Sequence, residues 1–301
     1  MAEVERLPRW LLKPRPAPHA TRRVRRALEA LRLNTVCDEA LCPNRGECLS
    51  RGTATFMLLG DRCTRDCGFC AVGHGRPEPP DPGEADRVAL AARELGLRHV
   101  VLTSVTRDDL ADGGAGQFAR CVRAVRERAP DATVEVLVPD FQGNAAAVDE
   151  VLGSRPDVFG HNIETVRRLY ASARRGADYG RSLAVLARAA ASGRAGRVKS
   201  AIMLGLGETR DEVEDALDDM RVAGAEIVCL GQYLRPSERH LAVARFLPPE
   251  EFDGLKAVAE AKGFAWVTAG PFVRSSYEAD RAARTLGRAD QLTTHADKET
   301  R

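Results

Sequence analysis

Apolar positions along this chain gather in short unbroken runs separated by amphipathic stretches. The runs lie at 54–59, 99–103, 134–138, 158–161, 198–204 and 227–230. Helical periodicity comes after them at 84–96, 116–129, 144–152, 165–172, 181–192 and 210–223. Each run is apolar on both faces, as strands of a covered parallel sheet are. Six strands alternating with helices predict an α/β fold: a parallel sheet or partial (β/α)6 TIM-like barrel with right-handed crossovers. A seventh run, 265–268, comes after a helical pattern at 249–262. Upstream, residues 6–16 are interrupted by Pro8, Pro14 and Pro16 and are expected to run extended. Thr21 is placed to cap a helix reaching Leu31, with Val24, Leu28 and Leu31 on one face. The sequence shows no internal repeat, and from Gly287 it is polar and expected to fray.

Composition narrows the class. With 44% hydrophobic and 29% charged residues over 301 positions, the chain has the make-up of a globular α/β protein, which excludes disordered, collagenous and membrane-embedded classes. A net charge of +2 removes a global electrostatic case for nucleic acid. Only five of the 45 basic residues are lysine, and the arginines are scattered, which reads as genome composition. No apolar run is long enough to span a bilayer. The N-terminus lacks a secretory apolar core, and Glu3, Glu5, Pro14, Pro16 and Pro18 argue against a transit peptide. A bacterial cytoplasmic protein is expected, with neither a membrane nor a nucleic acid as partner.

Each run leads into a polar, Gly-rich or Cys-rich segment: 63–70, 103–109, 139–143, 161–165, 205–209 and 231–237. In βα barrels functional groups gather at the strands' C-terminal ends, so register alone places these segments on one rim. Six of the eight cysteines lie between Cys37 and Cys70, and clustered cysteine points to metal or redox chemistry. Cys63-x3-Cys67-x2-Cys70 offers three thiolates with no fourth nearby. A structural zinc site wants four closed ligands; three suit a four-iron cluster with one iron left open. Cys37-x4-Cys42-x5-Cys48 is a second triplet and implies a second cluster, again without a regularly spaced fourth cysteine. Cys121 and Cys229 sit in apolar patterns and read as small buried hydrophobes. Gly205-Leu-Gly207-Glu208 lacks the third glycine of a dinucleotide fingerprint and reads better as backbone approaching a ligand. Arg107, Asp108 and Asp109 read as a solvated charge cluster ahead of a ligand contact, and His161 as a structural histidine.

The Cys63 triplet after the first strand, with Phe69 before its last cysteine, resembles the radical S-adenosylmethionine superfamily. The wider pattern resembles the lipoyl synthase family. It comprises Cys37-Asp-Glu-Ala-Leu-Cys42-Pro-Asn-Arg-Gly-Glu-Cys48, Thr103-Ser-Val-Thr-Arg-Asp-Asp109, Pro139-Asp-Phe-Gln-Gly143, His161-Asn-Ile-Glu-Thr165, Gly231-Gln-Tyr-Leu-Arg-Pro-Ser237 and Arg274-Ser-Ser-Tyr277. The likeness runs from about residue 7 to 280. It implies that Cys63, Cys67 and Cys70 hold a [4Fe–4S] cluster that binds and cleaves S-adenosylmethionine to a carbon radical. It implies an auxiliary [4Fe–4S] cluster on Cys37, Cys42, Cys48 and the hydroxyl of Ser276, consumed as the sulfur source. Read from the residues alone, Ser275 and Ser276 look like a turn or cap pair. Phe69, Asn162 and Glu164 are candidate cofactor contacts; Asn162 and Glu164 also fit a strand-end cap that Thr165 is able to provide.

The implied reaction inserts two sulfur atoms, at C6 and C8 of an octanoyl chain amide-linked to lysine, using two S-adenosylmethionine molecules per product. Implied partners are octanoylated lipoyl carrier domains (2-oxoacid dehydrogenase E2 subunits and the glycine cleavage H protein), an electron donor such as ferredoxin or flavodoxin, and an iron–sulfur carrier. Unactivated C–H bonds are beyond acid–base chemistry, which accords with a sequence that offers no nucleophile–base pair. The expected organisation is an arm and auxiliary-cluster segment at 1–50, a barrel at 51–262, and a segment at 263–301 that returns Ser276 to the arm. Departures from the family pattern are Glu278 for the usual His, Gly160 for Asn, Ala201 for Gly and Arg45 for an apolar residue. Two other readings stay open: another radical enzyme with an auxiliary cluster, such as a methylthiotransferase or biotin-synthase-like enzyme, and a non-enzymatic iron–sulfur or zinc module.

Overall fold

The computed structural model describes residues 7–12, 22–39, 42–50 and 53–286. Seven strands lie side by side in chain order: β1 (Thr53–Leu58), β2 (His99–Ser104), β3 (Thr133–Leu137), β4 (Val158–Gly160), β5 (Arg197–Leu204), β6 (Ile227–Gln232) and β7 (Trp266–Gly270). Every neighbouring pair among them is parallel. All six residues of β1 and of β6 are buried, as expected for strands covered on both faces. The six strand–helix units read from the sequence are present. The seventh run, assigned to the C-terminal extension, joins them as β7, with Trp266 opposite Ile227 and Gly270 opposite Gly231. The sheet does not close on itself: its other edge is the two-residue strand Asn34–Thr35, antiparallel to β1.

The helices start where their caps dictate. Thr209 and Glu212 form a reciprocal capping box at Arg210–Val222. Asn144 caps Ala145–Gly153, Asp178 caps Tyr179–Ser192, and Pro249 occupies the first turn of Pro249–Ala261. The stretch at 165–172 forms a 3-10 turn, Arg167–Leu169, and then one α-turn, Tyr170–Ala173. Thr165 does not cap it, and its buried hydroxyl has no protein partner. Near the N-terminus Arg9–Leu11 is a 3-10 turn with Leu11 buried, where an extended arm was expected. The helix Arg22–Ala30 buries Leu28, while the Thr21 cap, residues 13–21 and the tail from 287 lie outside the described residues.

Toward the strands' N-terminal ends the barrel interior is polar. Lys199 Nζ donates to Glu135 Oε1 at 2.9 Å, and His99 Nε2 lies 3.2 Å from Glu135 Oε2. Burial opposes the Glu135 charge, but Lys199 and His99 outweigh it and hold the carboxyl below its usual range. This paired cluster ties β2, β3 and β5 together at the floor and leaves the opposite rim free for the site.

Candidate active site

The loop after β1 carries Cys63, Cys67 and Cys70 and is held from four sides. Two short parallel strands, Arg62–Cys63 and Gly73–His74, pinch its base. Thr64 N donates to Thr106 O at 3.0 Å, and Gly68 N to Ala173 O at 2.9 Å. From the segment after β6, Leu241 N donates to Gly68 O at 2.8 Å, and His240 Nε2 lies 2.9 Å from Cys70 O. That bond is made by a proton on Nε2, and Nδ1 lies 2.8 Å from Ser237 Oγ, a hydroxyl able to complete the pair. A Cβ on Gly68 would come within 3.0 Å of Leu241, so the close crossing favours glycine.

Arg65, between the first two cysteines, makes the strongest tether. Its guanidinium forks onto Asp108 at 2.7 and 2.9 Å and onto Asp140 at 2.7 and 3.1 Å. The side chain is 7% exposed and that of Asp140 is 0% exposed. Arg181 adds a contact to Asp140 at 3.2 Å. Although burial opposes charge on Asp140, Arg65 holds its pKa at about 2. The cysteine loop is thereby fixed to the C-terminal ends of β2 and β3.

All six clustered thiols line one cavity of about 540 Å³ at the strands' C-terminal ends. Burial pushes the Cys67 thiol up to about 12, with Arg174 opposing and Cys70 and Cys63 adding. Burial likewise raises Cys70 to about 11 and Cys37 to about 12, the latter helped by Cys42 and Cys48. Among the described residues no three His, Cys, Asp or Glu side chains converge to hold a single ion; the thiols stand around a shared volume. Phe69, Asn162 and Glu164 line the same cavity. Glu164 has φ +71°, unusual for a non-glycine residue, and is locked there by bonds from its N–H to Ala201 O and from Met203 N to its own carbonyl. Asn162 Nδ2 donates to Glu164 Oε1 at 3.0 Å. Burial raises the Glu164 pKa, with Arg174 opposing.

Sequence reasoning missed Arg174, which lies in the irregular stretch after Ala173 and belongs to no motif. Its Nη1 donates to Asn162 O and Tyr170 Oη, placing a half-buried cation at the cavity wall that Glu164 and Cys67 also line. The buried Asn162 Oδ1 and Ser104 Oγ, both on that wall, have no protein hydrogen-bond partner. Soft thiol donors, a cation, a carboxyl and unmatched polar atoms around one volume fit a four-iron cluster carrying a zwitterionic, hydroxylated ligand.

The second triplet faces the first from the arm. The turns Val36–Glu39 and Arg45–Ser50 carry Cys37 and Cys48, with Cys42 between them. The segment after β7 meets the arm: Asn44 Nδ2 donates to Phe272 O at 2.5 Å, and Tyr277 Oη to Glu47 Oε1 at 3.1 Å. Ser276 lines the cavity with Cys37, Cys42 and Cys48. Cys229 is buried but lines the cavity too, its Sγ 3.7 Å from Ser275 O, whereas Cys121 is a core residue.

Two rim readings change. Arg107 is no solvated group: it is 2% exposed, forks onto Asp109 and donates to Leu59 O, while Asp108 serves Arg65. The close approach at Gly205 is to the protein itself, since an added Cβ would lie 2.5 Å from Arg245 O. The Gly205 and Leu206 N–H groups bond Glu208's carboxylate. His161 is buried, with Nδ1 on Val138 O at 2.8 Å, a structural histidine.

Residues 57–220 match the radical SAM superfamily. The chain is 54% identical over 284 residues to the lipoyl synthase of Methylococcus capsulatus, covering 94% of this chain and 88% of that protein. It is 52% identical over 288 residues to the lipoyl synthase of Symbiobacterium thermophilum, covering 95% and 90%. Among solved structures, the [FeFe]-hydrogenase maturase HydG is similar at a TM-score of 0.56 and 12% identity, over 82% of this chain and 71% of that one. Streptococcus suis SuiB bound to its precursor peptide is similar at 0.55 and 12%, over 89% and 58%. These two likenesses concern the fold alone.

Proposed function

The chain belongs to the lipoyl synthase family of the radical SAM superfamily, and from that premise we propose that its two thiol triplets hold two [4Fe–4S] clusters. Cys63, Cys67 and Cys70 would carry the cluster that binds S-adenosylmethionine; Cys37, Cys42, Cys48 and Ser276 would carry the auxiliary one. The observation that supports this reading is the convergence of both triplets and Ser276 on one cavity. Bound there, the first cluster and S-adenosylmethionine supply a carbon radical able to take hydrogen from an unactivated C–H bond.

The protein's own groups bind and orient. Arg174 is the charge complement of a carboxylate. Asn162 and Ser104 offer unmatched polar atoms to the hydroxylated end of the same molecule, and Glu164, fixed in its left-handed conformation, offers a carboxyl beside them. Val105, Leu137, Ile202 and Met203 give the cavity an apolar wall suited to an octanoyl chain. Holding that chain between the two triplets sets which carbon meets which centre, a positional effect that needs no acid or base from the protein. Cys37, Cys42, Cys48 and Ser276 would hold a cluster able to supply the two sulfur atoms that C6 and C8 receive. A hydroxyl ligand at Ser276 binds iron less firmly than thiolate, which suits a cluster that opens.

The substrate is an octanoylated lysine on a lipoyl carrier domain; the E2 subunits of 2-oxoacid dehydrogenases and the glycine cleavage H protein are the proposed carriers. A ferredoxin or flavodoxin as electron donor, an iron–sulfur carrier and a bacterial cytoplasmic setting complete the reading. Among the described residues no helix is long and apolar enough to cross a membrane. The test is iron and sulfide content of anaerobically reconstituted protein, with turnover of an octanoyl-lysyl peptide on the same sample. About eight irons, four per cluster, with lipoyl product limited by the protein's own sulfide, is the expected result. About four irons with S-adenosylmethionine cleaved and no lipoyl product would remove the auxiliary sulfur donor.

A further inference from the structure

Arg274 begins the segment that carries Ser276, and it lines the same cavity as the arm thiols Cys37, Cys42 and Cys48. The other two inner arginines of that cavity are occupied: Arg65 by Asp108 and Asp140, and Arg174 by Tyr170, Ser182 and the Asn162 carbonyl. The Arg274 guanidinium donates a single hydrogen bond among the described residues, from Nη1 to its neighbour Val273 O at 2.6 Å. Among the described residues no carboxylate pairs with it. Room for the segment is made at Gly231, where an added Cβ would meet Val273 O, and would lie 3.5 Å from Arg274 Nη1. A guanidinium keeps its proton in a protein, and this half-buried cation, with one hydrogen bond, shares its cavity with the arm thiols.

We propose that Arg274 is the countercharge to an anionic centre held by the arm thiols, and that it tightens the docking of the 271–277 segment when that centre is loaded. The proposal rests on the auxiliary-cluster assignment. Four anionic ligands around a four-iron cluster leave net negative charge for Arg274 Nε and Nη2 to meet. Without the centre the segment keeps its contacts to the arm, such as the bonds from Asn44 to Phe272 and from Tyr277 to Glu47, and Arg274 loses its countercharge. Arg274 is thus a positioning residue: it would steady Ser276 at a loaded cluster and loosen its hold when the cluster is spent.

The test compares holoprotein of the full chain with Arg274→Gln and Arg274→Lys. Iron and sulfide are counted first; about four irons in the parent protein would fail the auxiliary-cluster assignment itself, separately from Arg274. With about eight present, a ferrous chelator should strip the more labile irons roughly tenfold faster from Arg274→Gln, since a charge-assisted contact is lost. Arg274→Lys should stay within about threefold of the parent because the charge is kept. Equal release from all three proteins, or a lysine variant no better than glutamine, overturns the countercharge role. Independently of any variant, hydrogen exchange at 271–277 in the parent protein should slow on reconstitution; exchange indifferent to loading overturns the docking.

Discussion

Replacing Arg65 with methionine keeps most of the side chain's volume and removes the fork that joins the cysteine loop to β2 and β3. The loss falls mainly on Asp140, fully buried and left with Arg181 at 3.2 Å and the Gln142 N–H. Asp108 is 27% exposed and is partly rescued by water. Removing one partner of a buried ion pair costs about 3–5 kcal/mol, because the other charge stays uncompensated. For a chain of this size that corresponds to a fall in Tm of roughly 5–15 °C. The pH dependence stems from Asp140. In the parent protein its pKa of about 2 lies below the unfolded value. Its contribution is therefore present above pH ~4 and lost as pH falls through the folded pKa. In Arg65→Met burial dominates instead and the Asp140 pKa rises. The variant is then penalised most at neutral pH and relieved as the carboxyl protonates. Thermal unfolding monitored by circular dichroism at about pH 7 and about pH 4.5, either side of the ordinary carboxylate range, should show the gap between the two proteins narrowing on acidification. Arg65→Met/Asp140→Asn should recover part of the loss at neutral pH. A fall in Tm under about 2 °C, a gap indifferent to pH, or a double variant with fully additive damage would refute the argument.

Cys67→Ala should abolish S-adenosylmethionine cleavage, measured as deoxyadenosine released under reducing conditions; normal release would remove Cys67 from the cofactor cluster. Cys42→Ala should retain cleavage yet form no lipoyl product by mass spectrometry, and product from that variant would end the sulfur-donor role of the arm. Arg174→Gln should weaken S-adenosylmethionine binding by about tenfold or more, the value of one charge-assisted contact. Equilibrium dialysis on reconstituted protein checks this, and unchanged affinity would return Arg174 to a purely structural role.

The fold was legible because parallel strands covered on both faces leave unmistakable apolar runs; six sheet strands and most of their helices fall within a few residues of the pattern. The 165–172 stretch reads as one helix in sequence because local periodicity cannot register the bond that turns Glu164 back onto β5. The thiol triplets announce themselves by spacing. Arg174 and the pairing of Arg65 with Asp108 and Asp140 do not, since the Arg174–Asn162 bond spans 12 residues and the Arg65 pairs span 43 and 75, and only the folded barrel brings them together. Arg107-Asp108-Asp109 misleads for a related reason: three adjacent charges look solvated until Arg107 is found forked onto Asp109 and Asp108 onto Arg65.

An open sheet also bears on the timing of synthesis. The arm leads out of one sheet edge and the segment after β7 out of the other, so the two meet across the gap through residues 228 and 230 positions apart. Strands paired between neighbours in sequence can form as the chain emerges; this seam cannot. At ribosomal speeds of ~5–20 residues per second, the arm waits roughly ten to fifty seconds for its partner. Throughout that interval Cys37, Cys42 and Cys48 are on a nascent chain whose roof has not been made. The thiols translated first are enclosed last.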